Sequence, residues 1–166
     1  MYAAIWTAIS LALFAAPPAS AASCRDLVFE ETPFTVCEAD PASDYIRLFL
    51  KGADDRPLGT FDNVERLLSK EGLALTLAMN AGMYHPDRRP VGLYIEDGEE
   101  RGQIVTRDGP GNFGLLPNGV LCLTRNAARV IESRAFKRDT RDCRYAIQSG
   151  PMLVIDDALH PVSYTH

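Results

Sequence analysis

The sequence predicts an α/β (α+β) domain built on a mixed, strand-rich sheet with few helices. Short runs rich in β-branched and aromatic residues recur between Pro, Gly and Asp/Asn turns, which is the mark of strands. Helix-end signals around a helical spacing of apolar residues occur once, in FDNVERLLSKEG (61–72). No repeat or low-complexity linker interrupts the 166 residues, and 46% hydrophobic with 23% charged residues is ordinary globular composition, so one domain is expected.

Residues 1–21 carry no Asp, Glu, Lys or Arg, and their apolar run is shorter than the roughly 20 residues that span a bilayer. Pro17-Pro18 followed by Ala19-Ser20-Ala21 has the small-residue form of a cleavage site. The expectation is a signal peptide over 1–21, a domain over 22–166, an extracytoplasmic location (periplasmic or secreted), and no stable membrane span after removal of the signal. The net charge of -5 offers no attraction to nucleic acid or anionic lipid, which excludes polyanion binding as the main task.

LVFEE (27–31), FTVCEA (34–39) and YIRLFL (45–50) read as strands, with Arg47 and Lys51 toward solvent. In 61–72, Asp62 is the expected N-cap with Glu65 three residues on, Val64, Leu67 and Leu68 share a face, and Gly72 ends the helix. LALTLAMN (73–80) lacks alternation and reads as a strand buried on both faces. VGLYIEDG (91–98) places Tyr94 and Glu96 on one strand face and Leu93 and Ile95 on the other, and Asp97-Gly98 signals a hairpin. NFGLLPNGVLCL (112–123) is two apolar runs hinged at Pro117-Asn118-Gly119, and YAIQSGPMLVIDDAL (145–159) is a strand pair broken at Gly150-Pro151. The four cysteines, in an exported chain, pair best as Cys24 with Cys37 and Cys122 with Cys143, although sequence leaves the connectivity open. No C-x-x-C or H-x-x-x-H spacing supports zinc; neither metal nor cofactor is expected.

Chemistry concentrates in glycine turns. Asn80-Ala81-Gly82-Met83-Tyr84 combines an amide with bare backbone, and Gln148-Ser149-Gly150-Pro151 repeats the design. Gly111-Asn112-Phe113-Gly114 is a third such turn, and N–H groups freed at glycine turns form anion-holding concavities. Ordinary turn chemistry explains each of them separately.

In this order NAGMY (80–84), PVGLYIEDG (90–98), GNFGLLPNGV (111–120) and QSGPMLVID (148–156) resemble the phosphodiester glycosidase family, that of the lysosomal uncovering enzyme, which removes N-acetylglucosamine from a phosphodiester. The resemblance runs from about Phe61 to His160 and implies an exported hydrolase of mixed α/β fold that cleaves a sugar from a sugar-1-phosphodiester. It also implies that Asn80, Gly82, Gln148, Ser149 and Gly150 lie on site-lining loops, with a small-molecule sugar phosphodiester or envelope glycan as partner. Members of the family continue beyond the point reached at HPVSYTH with an Arg-Asn-Gly segment, further strands and an Asp-Gly loop. The expectation is therefore the front part of a domain incomplete at its C-terminus, with a catalytic acid or base in the absent part and unpaired strand edges left behind.

Departure of a phosphate from an anomeric carbon needs negative charge stabilised, a role for loop N–H groups, Asn80, Tyr84 and Asn112 and for an arginine, Arg88 or better Arg89. The oxocarbenium side needs a carboxylate, and Glu96 is the candidate, against a bland reading as a solvent-facing glutamate of the acidic hairpin. Asp156 and Asp157 fit a turn, His85, His160 and His166 lack catalytic spacing, and Ser149 has no paired histidine for nucleophilic catalysis. The alternatives are a non-catalytic extracytoplasmic carbohydrate- or envelope-binding module, or a structural remnant.

Overall fold

The structure is a computed structural model. It describes residues 22–138 and 142–161, so the expected signal over 1–21 and His166 lie outside the described residues. Strands β1 (Ser23–Phe29) and β2 (Thr32–Glu38) form an antiparallel hairpin in which Cys24 faces Cys37 and the two are disulfide-bonded. Glu30 and Glu31 take φ of 46° and 64°, the doubly left-handed turn whose twist matches that of paired strands. The expected strands at LVFEE and FTVCEA are thus present, except that Glu30 and Glu31 form the turn between them and Ala39 lies past the end of β2. Their hairpin buries little, with Val28 and Phe29 left 72% and 62% exposed.

YIRLFL, by contrast, joins no ladder; its end is held by Leu58 N–H donating to Leu50 O and by a bridge between Lys51 and Pro57. The alternation read from sequence survives without the strand. Ile46, Leu48 and Leu50 pack on the core, while the Arg47 guanidinium lies 5.5 Å and 4.7 Å from the Tyr45 and Phe49 ring centres and pairs with Glu71 at 2.7 Å. Arg47 is therefore largely covered and not free in solvent, because a guanidinium stacks on aromatic faces as readily as it hydrates. Lys51 pairs with Asp55 at 2.9 Å.

Helix α1 (Phe61–Lys70) is present, but its N-cap is Thr60, whose Oγ1 accepts from Asn63 N–H at 3.4 Å. Asp62 sits inside the first turn, where its charge favours the helix dipole. At the other end Leu73 N–H donates to Leu68 O and Gly72 N–H to Ser69 O, the paired bonds of a glycine-terminated helix. Beyond it LALTLAM corrects the sequence reading: 73–79 form no strand, and Leu73, Leu77 and Met79 are exposed. Apolarity nominates a strand, but a ladder needs a neighbour's N–H and C=O groups, and no described strand pairs with this segment.

The body is a five-stranded sheet in the order β4-β3-β7-β5-β6, comprising β3 (Tyr94–Glu96), β4 (Glu99–Gly102), β5 (Gly119–Leu123), β6 (Ala128–Glu132) and β7 (Tyr145–Ser149). All its pairings are antiparallel. With the short α2 (Ser133–Arg138) against β5 and β6, and α1 as the other helix among the described residues, the class is the strand-rich α/β fold with few helices that was expected. The central strand is β7, with Tyr145 to Gln148 all buried. One sheet face carries Leu48, Tyr94, Leu123, Tyr145 and Ile147; the other carries Leu93, Val120, Cys122, Cys143 and Ala146, the alternation that a period of two requires. Asp97 and Gly98, at φ of 51° and 84°, make the expected hairpin turn. After β7, a small hairpin of β8 (Val154–Ile155) and β9 (Ala158–Leu159) turns at Asp156 and Asp157.

The disulfide Cys122–Cys143 closes 21 residues of chain inside the second core, as paired from sequence. Replacing both by alanine should lower stability by about 2–4 kcal/mol. Replacing Cys24 and Cys37, whose hairpin is mostly exposed, should leave the main unfolding transition unmoved. Urea titration followed by circular dichroism distinguishes the two.

Candidate active site

Strand β7 delivers the site. Ser149 ends it opposite Gly119, and Gln148 lies one residue earlier opposite Val120. The Gln148 side chain turns inward and is 1% exposed. Its Oε1 accepts from Leu93 N–H at 3.1 Å and Val105 N–H at 2.9 Å, and its Nε2 donates to Val105 O. The carboxamide of a residue expected to contact substrate is thus spent on backbone groups, at the point where the β3–β7 ladder ends.

The Asn80–Tyr84 turn lies against the same strand end. A Cβ at Gly82 would fall 2.7 Å from Ile147 Cγ1 and 3.1 Å from Gln148 O, so only glycine lets the turn come this close. Between the turns is an open cavity of ≈ 230 Å³ lined by Ala81 from one, Ser149, Gly150 and Pro151 from the other, and Gly119, Leu121, Val130 and Ile147 from the sheet. The first two glycine turns are thus brought together. The third packs behind: Phe113 is buried, and its carbonyl accepts from the fully buried Asn118 Nδ2 at 2.8 Å. Asn112 opens the 3-10 turn Asn112–Gly114, and its side chain lies outside those described.

Among the described residues Ser149 supplies the cavity's only polar side chain, and no cation lines it. Arg89 is turned into its own loop, pairing with Asp87 at 2.6 Å, and Arg88 stacks over Tyr84 at 5.0 Å from the ring centre. Tyr84 bridges to Pro90 and is partly exposed beside the turn; Asn80 is exposed next to the lining residue Ala81. A larger concavity of ≈ 410 Å³ lies on the β1–β2 hairpin between Asp26 and Thr35, away from these turns.

Glu96 is buried, not solvent-facing: its Oε2 accepts from Tyr94 O–H at 3.0 Å and pairs with Arg101 at 3.2 Å. Tyr94 pairs with Ile147, so Glu96 shares the face of Ser149 at the opposite end of the strands. Four residues of strand, about 13 Å, separate Tyr145 from Ser149, which puts this carboxylate out of reach of a group seated at Ser149. Next to it, Asp97 Oδ1 accepts from Tyr145 O–H at 2.7 Å and from Arg144 Nε and Nη2, each at 2.9 Å. The Tyr145 hydrogen bond and the Arg144 pair hold the Asp97 carboxyl below its ordinary range, and burial pushes the Tyr145 hydroxyl up to about 12. Burial raises Tyr94 likewise. Both phenols therefore remain donors at neutral pH, closing this end as a satisfied network. Among the described residues no group of His, Cys, Asp or Glu side chains forms a metal site, and no helix is long and apolar enough to cross a membrane.

The family model for phosphodiester glycosidases matches residues 74–166, more than half of the chain and every turn that borders the cavity. The chain belongs to the phosphodiester glycosidase family. It is 29% identical over 150 residues to the uncharacterized protein YigE of Escherichia coli (strain K12), an alignment covering 87% of this chain and 58% of that protein. The phosphodiester glycosidase chain thus spans little more than half the length of the curated relative it matches. No solved structure matches it. Its two disulfides, with no membrane-crossing helix among the described residues, fit an extracytoplasmic setting. Sequence reasoning missed Asn118, whose place between Pro117 and Gly119 reads as turn chemistry, and the sheet residues Leu121 and Val130, whose only signal was strand alternation.

Gln148→Leu leaves two buried N–H donors bare and should lower stability by about 2–4 kcal/mol, read by urea unfolding. Asp97, with an ordinary value of 3.8 and a lower folded one, contributes fully above that pH and loses its contribution as pH falls through the folded value. Asp97→Asn should flatten the acid limb of stability below about pH 4 and leave the neutral region's slope unchanged, measured as urea midpoints from about pH 5 to pH 2.

Proposed function

We propose that this phosphodiester glycosidase is an exported hydrolase that cleaves a sugar from a sugar-1-phosphodiester at the cavity between the Asn80–Tyr84 and Ser149–Pro151 turns. The observation that supports it is the cavity itself, which joins two turns distant in sequence inside the family match. In this reading Asn80, Tyr84 and Ser149 face the substrate and backbone N–H groups of the two turns hold the phosphate, while Gly82 and Gly150 let those turns pack against Ile147 and Asn118. Gln148 fixes those groups from within. Arg89 would reach the phosphate only by leaving Asp87, and Glu96, ion-paired at the far end of the face, is left out of the chemistry. Export would remove residues 1–21 and leave one domain over 22–166, which N-terminal sequencing of the exported protein checks as a chain beginning at Ala22.

The lining favours a second reading. With Ser149 the only polar side chain and no ionised group among the described lining residues, the cavity also suits a non-catalytic module that binds an envelope glycan or its sugar phosphate. An aryl N-acetylglucosamine-1-phosphodiester distinguishes the two. Release of free sugar, with kcat/KM falling about 100-fold in Gly82→Val, where the added methyls strike Ile147, is the expected result. Saturable binding of the sugar phosphate without turnover selects the module, and neither binding nor turnover rejects both.

A further inference from the structure

Asn118 is fully buried and has one end without a partner. Its Nδ2 donates to Phe113 O at 2.8 Å and its carbonyl O accepts from Ser133 N–H at 2.8 Å, yet Oδ1 has neither solvent nor a hydrogen bond. A bare buried acceptor is costly, so something other than bonding sets its position. The reverse amide orientation would press Oδ1 against the Phe113 carbonyl oxygen, so the bare end is the oxygen. That oxygen abuts Gly150. A Cβ built on Gly150 would lie 1.9 Å from Asn118 Oδ1 and 2.6 Å from its Cγ. Just beyond, Met152 N–H donates to Pro117 O at 2.8 Å and keeps the two turns side by side. Gly150 does not have a left-handed φ, so its lack of a side chain answers to this contact alone.

We propose that Asn118 is a positioning residue for the site: one end of its carboxamide ties the 111–114 turn and the other sets the Ser149–Gly150–Pro151 turn against the cavity. Displacing one turn displaces the other. The third glycine turn, none of whose residues is among those lining the cavity, thereby acts on it through a single side chain. The inference rests on the proposed function only for its kinetic consequence.

Hydrogen–deuterium exchange by mass spectrometry on the full chain tests the coupling, read in peptides covering 109–116 and 147–153. Gly150→Ala forces a methyl onto Asn118 and should speed exchange about tenfold in both peptides, although the substitution touches only one. Asn118→Ala should do the same. In the double variant Asn118→Ala/Gly150→Ala the methyl occupies the vacated space, so 147–153 should return to within about twofold of the parent while 109–116 stays fast. Folding of the double variant where Gly150→Ala alone fails is the same result in stronger form. Loosening confined to 147–153 in Gly150→Ala, additive effects in the double, or failure of both to fold overturns the proposal.

On the aryl phosphodiester, Gly150→Ala should lower kcat about tenfold with KM within about twofold, and the double variant should recover most of the loss. Unchanged kcat and KM per folded molecule beside a lowered melting temperature would make Asn118 a folding residue only, and also overturns the proposal. If the parent chain turns nothing over, the hydrolase reading fails and the exchange cycle decides the coupling by itself.

Discussion

A strand covered on both faces must settle every polar group without water, and β7 does so at its critical end through the Gln148 carboxamide. The ladder with β3 closes with Gln148 N–H donating to Leu93 O at 2.9 Å; from there the side chain takes over, binding Leu93 and Val105. That one amide keeps the strand end dry and holds the segment near Val105, whose neighbour Thr106 O accepts from Arg134 Nε at 3.2 Å. Ser149 and the turn after it therefore leave from a fixed point. A site mounted on a core strand inherits that strand's rigidity, which positions a reacting group better than a loop could.

Local chemistry was legible in the sequence. Asp97-Gly98 made its hairpin, Gly72 ended its helix, the cysteines paired as their spacing suggested, and the glycine turns at 82 and 150 lie at one cavity. What failed depended on partners far along the chain. LALTLAM and YIRLFL have strand composition but no ladder, because composition records a preference for a pleated surface and says nothing of which neighbour supplies the hydrogen bonds. Glu96 reads as an acidic hairpin residue until Tyr94 and Arg101 are seen folded over it. Gln148 reads as an amide on a site-lining loop and Asn118 as part of a hinge between two apolar runs, and only the fold reveals that both side chains are buried.

The family match begins at residue 74, and the division is physical as well as statistical. Everything bordering the cavity follows that point, whereas the earlier segments supply cover: Ile46, Leu48 and Leu50 close the face of Tyr94 and Ile147, and α1 is joined to them through the Arg47–Glu71 pair. Framework ahead of chemistry explains why the amino-terminal stretch carries so little of the family's signature. A covering segment has to be apolar at alternate positions; a turn that approaches backbone has to be glycine at one.

The two border strands of the sheet carry one more consequence. β4 is Glu99-Glu100-Arg101-Gly102 and β6 sets Arg129 and Glu132 around Val130, so both flanks present charge where an incoming strand would have to desolvate it. Lateral growth by strand addition is thereby opposed on either side.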